Sequence, residues 1–423
     1  MDKSGFCNCH FLFVAAGRTL GAEQIPKWPN EKMRNEKMRM ENFPVLKRCL
    51  TSTPKNIVVR GTNWVGDAVM TIPTLREIRR LFPSAQITLA SRSWAKGLFA
   101  GAEFIDELQV HEGSGLRSVV RQVRQWRKQN FDLAVLLPNS LETALVASLA
   151  RVPLRIGYAT DGRQALLTHP LEVPEWRNSK HEVFYYLKIA AELEWLIKRE
   201  QTFLNTQPDG SLETSIGRQT AARDFLRARG VRNISDGRAM VALCPGSINS
   251  RAKRWPAERY AALGDRLIDE LQAEVVLIGS VAEVEVSLEV SRQMRNQPVV
   301  LTGQTDLAEL VAILSQVDLL ITNDTGPAHI ASALGRATLV IFGPTNPLTT
   351  RPFSPLGEIL RQPPDCAPCM LRDCPIDHRC MTAISPNEVF ERARTMLAKR
   401  NFATETQRHR DLQDIEKERC GQG

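Results

Sequence analysis

Two α/β halves, each built on a parallel sheet, are what this chain predicts, and three observations predict them. Short apolar runs alternate with amphipathic stretches from Lys55 onward, the pattern of strands crossed by helices. The alternation breaks once, over the polar residues 200–215 with their Pro208-Asp209-Gly210 turn, and then resumes. The length, 423 residues, also exceeds what one hydrophobic core ordinarily organises.

In the first half, Asn56-Ile57-Val58-Val59 leads a strand over 57–60, with further strands expected over 87–90, 104–110 and 133–137. Between them, apolar residues recur three and four apart over 67–81, 116–128 and 141–150, which is helical spacing. Pro73 falls near the start of the first helix, where proline is tolerated or makes a kink. In the second half the expected strands are 240–243, 275–278, 299–301, 319–322 and 338–342. The expected helices are 257–271, 283–294, 307–315 and 327–334, with a closing helix over 386–399. Such alternation implies parallel sheets covered on both faces. Two such halves leave a cleft, with ligands beyond the carboxyl ends of the strands.

The expected division is a domain over 54–200, a linker and connecting helix over 201–237, and a second domain over 238–385. Residues 1–53 contain the direct repeat Asn30-Glu31-Lys32-Met33-Arg34, Asn35-Glu36-Lys37-Met38-Arg39, which offers no apolar face to bury. They are expected to be disordered, or an extension from a start placed upstream of Met38 or Met40. Residues 400–423 are polar and expected to fray.

An apolar fraction of 43% and a charged fraction of 24% are ordinary for a soluble globular protein. No apolar run approaches the roughly 18 to 20 residues that span a bilayer. The net charge of +8 fits an anionic substrate or an anionic membrane surface, or is a generally basic surface. Nucleic acid is disfavoured, because only 6% of residues are aromatic and no recognition motif occurs. The run Phe11-Leu12-Phe13-Val14-Ala15-Ala16 is too short and weakly flanked for a signal peptide, so the protein reads as cytoplasmic.

Two loops suggest chemistry. Asn323-Asp324-Thr325-Gly326-Pro327-Ala328-His329 runs from a strand into a helix, with Asp324 suited to the N-cap and Pro327 to the first turn. The opening amides of a helix, at Thr325 and Gly326, suit a phosphate, although a plain cap also explains these residues. Leu243-Cys244-Pro245-Gly246-Ser247 ends another strand and is followed by Arg251-Ala252-Lys253-Arg254. Three cations in that short loop are placed to neutralise a diphosphate, or are simply solvated. The chain contains neither Asp-x-Asp nor a Walker loop, so protein cations rather than Mg²⁺ would stabilise a leaving phosphate. In the first half, Asp67 follows Gly66 at the start of a helix. It is either an ordinary first-turn aspartate or a base, kept ionised by the helix N-terminus.

The ordered set Gly61-Thr62-Asn63-Trp64-Val65-Gly66-Asp67, Leu137-Pro138-Asn139-Ser140, Lys253-Arg254-Trp255-Pro256, Asn323-Asp324-Thr325-Gly326 with His329, and Phe342-Gly343-Pro344-Thr345 resembles the lipopolysaccharide heptosyltransferases of glycosyltransferase family nine. Around Trp64 and the Pro-Asn-Ser turn it is most similar to the heptosyltransferase II branch. The resemblance spans roughly residues 55 to 398. It implies the two-domain GT-B fold, with Rossmann-like halves facing across a cleft. It also implies inverting, metal-independent transfer of heptose from ADP-heptose to the lipid A–Kdo–heptose core at the inner membrane surface, by a monomer peripheral to that membrane. A sugar-nucleotide 2-epimerase-like enzyme, or another nucleotide-sugar transferase of the same fold, is the alternative.

Matched position by position, Asp67 is the family's catalytic base and Lys253 the lysine on the donor phosphates. Thr325 and Gly326 form the diphosphate loop, and Asp324 lies near the donor sugar. Ser247 and Glu283 are donor-side candidates, for phosphate and ribose. His329 either faces the same site or is a buried structural histidine. Asn63, Trp64, Asn139 and Ser140 fall on the acceptor side. Arg155 and Arg163 either meet acidic acceptor groups or are solvated. Catalysis needs no cofactor. Cys366, Cys369, Cys374 and Cys380, with His378, have the residue types and spacing of a structural zinc site, with disulfides and reduced thiols as the other readings.

Overall fold

The computed structural model describes residues 53–199, 207–231 and 238–399. The extension expected over 1–53 (save residue 53), the tail over 400–423 and parts of the expected linker lie outside the described residues.

The first sheet contains β1 (Asn56–Arg60), β2 (Gln86–Ser91), β3 (Glu107–Val110), β4 (Leu133–Leu136), β5 (Leu154–Tyr158) and β6 (His169–Leu171). Its order is β3-β2-β1-β4-β5-β6. The second contains β7 (Met240–Cys244), β8 (Glu274–Leu277), β9 (Val299–Val300), β10 (Leu319–Asn323), β11 (Ala337–Phe342) and β12 (Gly357–Arg361), in the order β12-β11-β10-β7-β8-β9. Every pairing is parallel. Read from its own first strand, each sheet has the same plan: the chain builds outward on one side, then crosses to the other. The order therefore reverses between β1 and β4 and again between β7 and β10, the two positions where open α/β sheets bind ligands. β4, β7 and β10 are buried along their whole length and β1 from Ile57 on, which is why these strands read as near-continuous apolar runs.

Several elements differ from expectation for identifiable reasons. The helix expected over 67–81 is two, Val65–Met70 and Ile72–Leu81, broken at Thr71 so that Pro73 sits in the first turn of the second. The strand expected over 104–110 starts only at Glu107, because Phe104 turns inward to pack edge-on against Phe99. β5, β6 and β12 were not expected; β6 is a three-residue edge strand containing Pro170, which edge positions tolerate. The helix Glu182–Lys198 also escaped expectation. Buried residues surround most of its circumference, from Val183 through Tyr185, Tyr186 and Ile189 to Leu193, so it lacks the polar stripe that reveals a helix.

One apolar core runs through both halves, joining Ile57, Met70, Leu75 and Ile189 to Met240, Val311 and Ile330. Helices Val65–Met70 and Gly326–Ala333 cross closely: a Cβ on Gly66 would lie 2.9 Å from Cδ2 of the His329 ring. A second crossing joins helix Ala95–Phe99 to Leu307–Leu314, where a Cβ on Gly97 would lie 2.6 Å from the backbone nitrogen of Ala308. Arg218, on the helix Ile216–Ala228 that follows the linker, donates from Nη2 to the carbonyls of both Gly97 and Ala308, each at 2.9 Å. The closing helix, residues 386–399, packs Val389, Phe390 and Ala393 against Val241, Leu319 and Leu339 of the second sheet.

Candidate active site

The loops after β7 and β10 meet at the reversal point of the second sheet. Asn323, fully buried, ties them together. Its Nδ2 donates to the carbonyls of Pro245 (2.8 Å) and Gly246 (3.1 Å), while its Oδ1 accepts from the Trp255 amide (3.0 Å) and the Tyr260 hydroxyl (3.1 Å). Asp324 is buried and accepts from Lys253 Nζ (2.8 Å) and Thr345 Oγ1 (2.7 Å) on the same Oδ2. This places Lys253 in the site with a fixed ammonium. Glu283 accepts through Oε2 from the amide and hydroxyl of Ser280, each at 2.8 Å. Its carboxylate lies so close to the loop after β7 that a Cβ on Gly246 would fall 2.2 Å from Oε1, so any larger residue there would displace the Glu283 side chain.

Asp324 does not cap the helix, contrary to expectation. Thr325 is the N-cap, in extended backbone, and no side chain hydrogen-bonds to that helix end. The reason is charge: the Asp324 carboxylate has the Lys253 ammonium as a stronger partner than an amide. Thr325 instead shares its hydroxyl with Thr322 (3.1 Å). The helix Gly326–Ala333 therefore opens with backbone amides uncapped by any side chain beside Lys253, an arrangement suited to an anion.

Asp67 enters from the reversal point of the first sheet, in the opening turn of Val65–Met70. Its carboxyl is not held ionised by the helix end, as expected, but pushed up to about 6 from 3.8. Burial is the main cause, followed by the negative charge of Glu182; Arg177 and Lys253 oppose, and Asp324 adds a little upward. Asp67 thus lies within electrostatic reach of groups from both halves. Glu182 is itself pushed up by burial and held by a two-point pair with Arg177, Oε1 to Nη2 at 2.8 Å and Oε2 to Nη1. The Arg177 guanidinium stacks 3.9 Å over the Tyr185 ring, and the Tyr185 hydroxyl exchanges hydrogen bonds with the Asn139 amide (3.0 and 3.2 Å). Asn63 and Trp64 are exposed at the rim, Trp64 by 55%.

Other expected residues take different roles. Of the three loop cations only Lys253 faces the site: Arg251 pairs with Asp373 at the surface, and Arg254 donates to the Ser247 carbonyl (2.9 Å). Ser247 is buried behind that contact. The Arg155 guanidinium donates to the carbonyls of Leu166 and Val152. Arg163, fully buried, likewise braces the carbonyls of Tyr158, Pro138 and Ser140, and so shapes the turn that carries Asn139 and Ser140. His329 is buried against Gly66 with Nδ1 unpartnered, and burial drives it down to about 4, which keeps it neutral.

Among the described residues no three His, Cys, Asp or Glu side chains come together to hold a metal ion. Cys366, Cys369, Cys374 and Cys380 are free thiols; Cys366 is exposed and Cys380 buried. His378 is already occupied at the Ala252 carbonyl through Nε2 (2.6 Å). The segment braces the Lys253 turn. The Ala252 amide donates to Arg372 O (2.9 Å), the Ser250 hydroxyl reaches the same carbonyl (3.2 Å), and Arg251 meets Asp373.

Glu182, Arg177, Tyr185 and Thr345 were missed by sequence reasoning. Thr345 had a signal, since it closes the Phe342-Gly343-Pro344-Thr345 run. The other three lie on or just before a helix that shows no period.

Residues 119–379 match the family model for glycosyltransferase family 9 (heptosyltransferase). That span includes Lys253 and Asp324 and starts after Asp67. The chain is 29% identical over 324 residues to lipooligosaccharide heptosyltransferase 2 of Haemophilus influenzae, covering 72% of this chain and 88% of that protein. It is 28% identical over 315 residues to lipopolysaccharide heptosyltransferase 2 of Escherichia coli, covering 72% and 87%. The solved structure of E. coli ADP-heptose lps heptosyltransferase II superimposes with a TM-score of 0.68 at 26% identity, covering 82% of this chain and 99% of that one.

Proposed function

The chain belongs to glycosyltransferase family 9, and from that premise we propose that it transfers L-glycero-D-manno-heptose from ADP-heptose, with inversion, to the inner-core heptose of a lipopolysaccharide precursor. The observation that most supports this reading is that Asp67, from one sheet's reversal point, feels Lys253 and Asp324 from the other's.

Asp67 takes the proton of the acceptor hydroxyl. With its carboxyl at about 6 it is mostly ionised at neutral pH, yet basic enough to accept a proton in the transition state. The acceptor oxygen forms its bond to the anomeric carbon as the bond from that carbon to the diphosphate oxygen breaks, and ADP leaves with the electron pair. Attack from the face opposite the diphosphate inverts the anomeric centre. Lys253 and the amides opening the helix Gly326–Ala333 hold the charge that grows on ADP, and no catalytic metal is needed in this scheme. Glu283 takes a ribose hydroxyl in this scheme, and Asp324 fixes Lys253 in position. The acceptor is the lipid A–Kdo–heptose core, reached from the cytoplasmic face of the inner membrane. Among the described residues no helix is long and apolar enough to cross a bilayer.

Asp67→Asn tests the reading. Transfer should fall about 10² to 10⁴-fold, while ADP still raises the melting temperature and UDP and GDP at matched concentration do not. Near-normal turnover in the variant would remove Asp67 as the base; stabilisation by another nucleotide would change the donor.

A further inference from the structure

The helix Leu116–Gln129 has a face that neither the fold nor the reaction uses. It buries Ser118, Val119, Gln122, Val123 and Trp126 against the first sheet. Arg117, Arg121, Arg124 and Lys128, four, three and four residues apart, are all exposed and form one stripe along the opposite side. Leu116, 78% exposed, and Val120, 38% exposed, flank that stripe at the helix's first turns. No acidic residue occurs between Glu112 and Asp132, and among the described residues none of the four cations pairs with a carboxylate. A shallow groove runs along this face. The helix follows β3, so its N-terminal end, with Leu116, lies toward the carboxyl edge of the sheet, the edge that carries Asp67 and Asn139.

We propose that this face is the surface by which the protein docks on an anionic phospholipid bilayer, the four cations meeting headgroup phosphates and Leu116 and Val120 entering the headgroup boundary. A row of like charges held on a packed helix, with apolar residues at one end, complements a negative bilayer surface. The choice of a bilayer as the occupant rests on the reading above, in which the acceptor is lipid-anchored. Docking there brings the acceptor edge of the first sheet to the membrane.

Flotation with vesicles of phosphatidylcholine alone, or with about one third phosphatidylglycerol, tests the proposal without any substrate. The full chain should float with the anionic vesicles and not the neutral ones, and salt should weaken the binding. R117Q/R121Q/R124Q/K128Q should lower the partition coefficient about a hundredfold or more, at roughly fivefold for each cation. A second variant, L116S/V120S, should lower it less and leave the salt dependence in place. The quadruple variant should turn over a detergent-solubilised acceptor normally and a vesicle-embedded one poorly. Equal flotation with both vesicle types, unchanged binding by the quadruple variant, or binding to RNA or an acidic polypeptide in place of vesicles would overturn the proposal. A protein that floats as described yet transfers no heptose would refute the reaction and leave the docking surface standing.

Discussion

Asp67 is held where a carboxylate is costly. Its folded value of about 6 lies above the ordinary 3.8, so the folded protein binds this proton more tightly than the unfolded chain does. Stability from this group therefore falls as pH rises from 3.8 to 6, and above 6 the full cost is present, on the order of 2 to 3 kcal/mol. Asp67→Asn should raise the melting temperature by a few degrees at pH 7.5 and confer no gain at pH 4, even as it stops transfer. A lower melting temperature at pH 7.5 would show that the carboxylate is not strained by burial. Glu182 adds to that burden. Glu182→Gln removes a like charge and frees the Arg177 cation, two changes of the same sign, so the acid limb of the kcat/KM profile should move to lower pH; an upward shift or none would separate Glu182 from Asp67. The motif around Asp67 was legible because its residues are contiguous. Glu182 was not, since its neighbourhood with Asp67 arises only when the helix Glu182–Lys198 packs on Ile72–Leu81.

Strands β1, β4, β7 and β10 were legible because burial on both faces makes them apolar throughout, and these are the strands that carry the site loops. The edge strands β6 and β12 are only partly buried and mix polar residues with apolar ones, so they gave no comparable signal. Nor did any pattern announce the close crossing of Ala95–Phe99 with Leu307–Leu314, because the deciding feature is an absent side chain. At Gly97 the obstacle is backbone, which cannot swing aside as a long side chain can. Gly97→Ala should separate the two helices, loosen both Arg218 bonds, and destabilise by about 1 to 3 kcal/mol, read as a melting temperature several degrees lower. A change within about half a kcal/mol would mean that the crossing adjusts freely.

Three buried histidines govern the protein's response to acid. Burial drives His111 down to about 3 and His181 and His329 to about 4. Each therefore binds its proton less readily when folded than in the unfolded chain, where the value is near 6.5. Their contribution is intact above about 6.5 and is lost as pH falls toward 4, at roughly 1.4 kcal/mol per unit for each. Asp67, over a narrower window, and Glu182, also pushed up by burial, oppose this. The melting temperature should decline steadily from pH 6.5 to 4, and a flat profile would show that these imidazoles titrate normally. His181 adds a structural break: Nδ1 accepts from the Val183 amide (3.2 Å), which leaves Nε2 to donate to the Arg351 carbonyl (2.6 Å) in the other half. A second proton would destroy the Nδ1 acceptor and uncap the helix Glu182–Lys198.

Arg218 joins the two halves through a single nitrogen shared by two carbonyls. A rivet of that kind permits scissoring and resists sliding. Sliding one half along the other would break at least one of the two bonds, so Arg218 fixes the register in which the helices Ala95–Phe99 and Leu307–Leu314 cross.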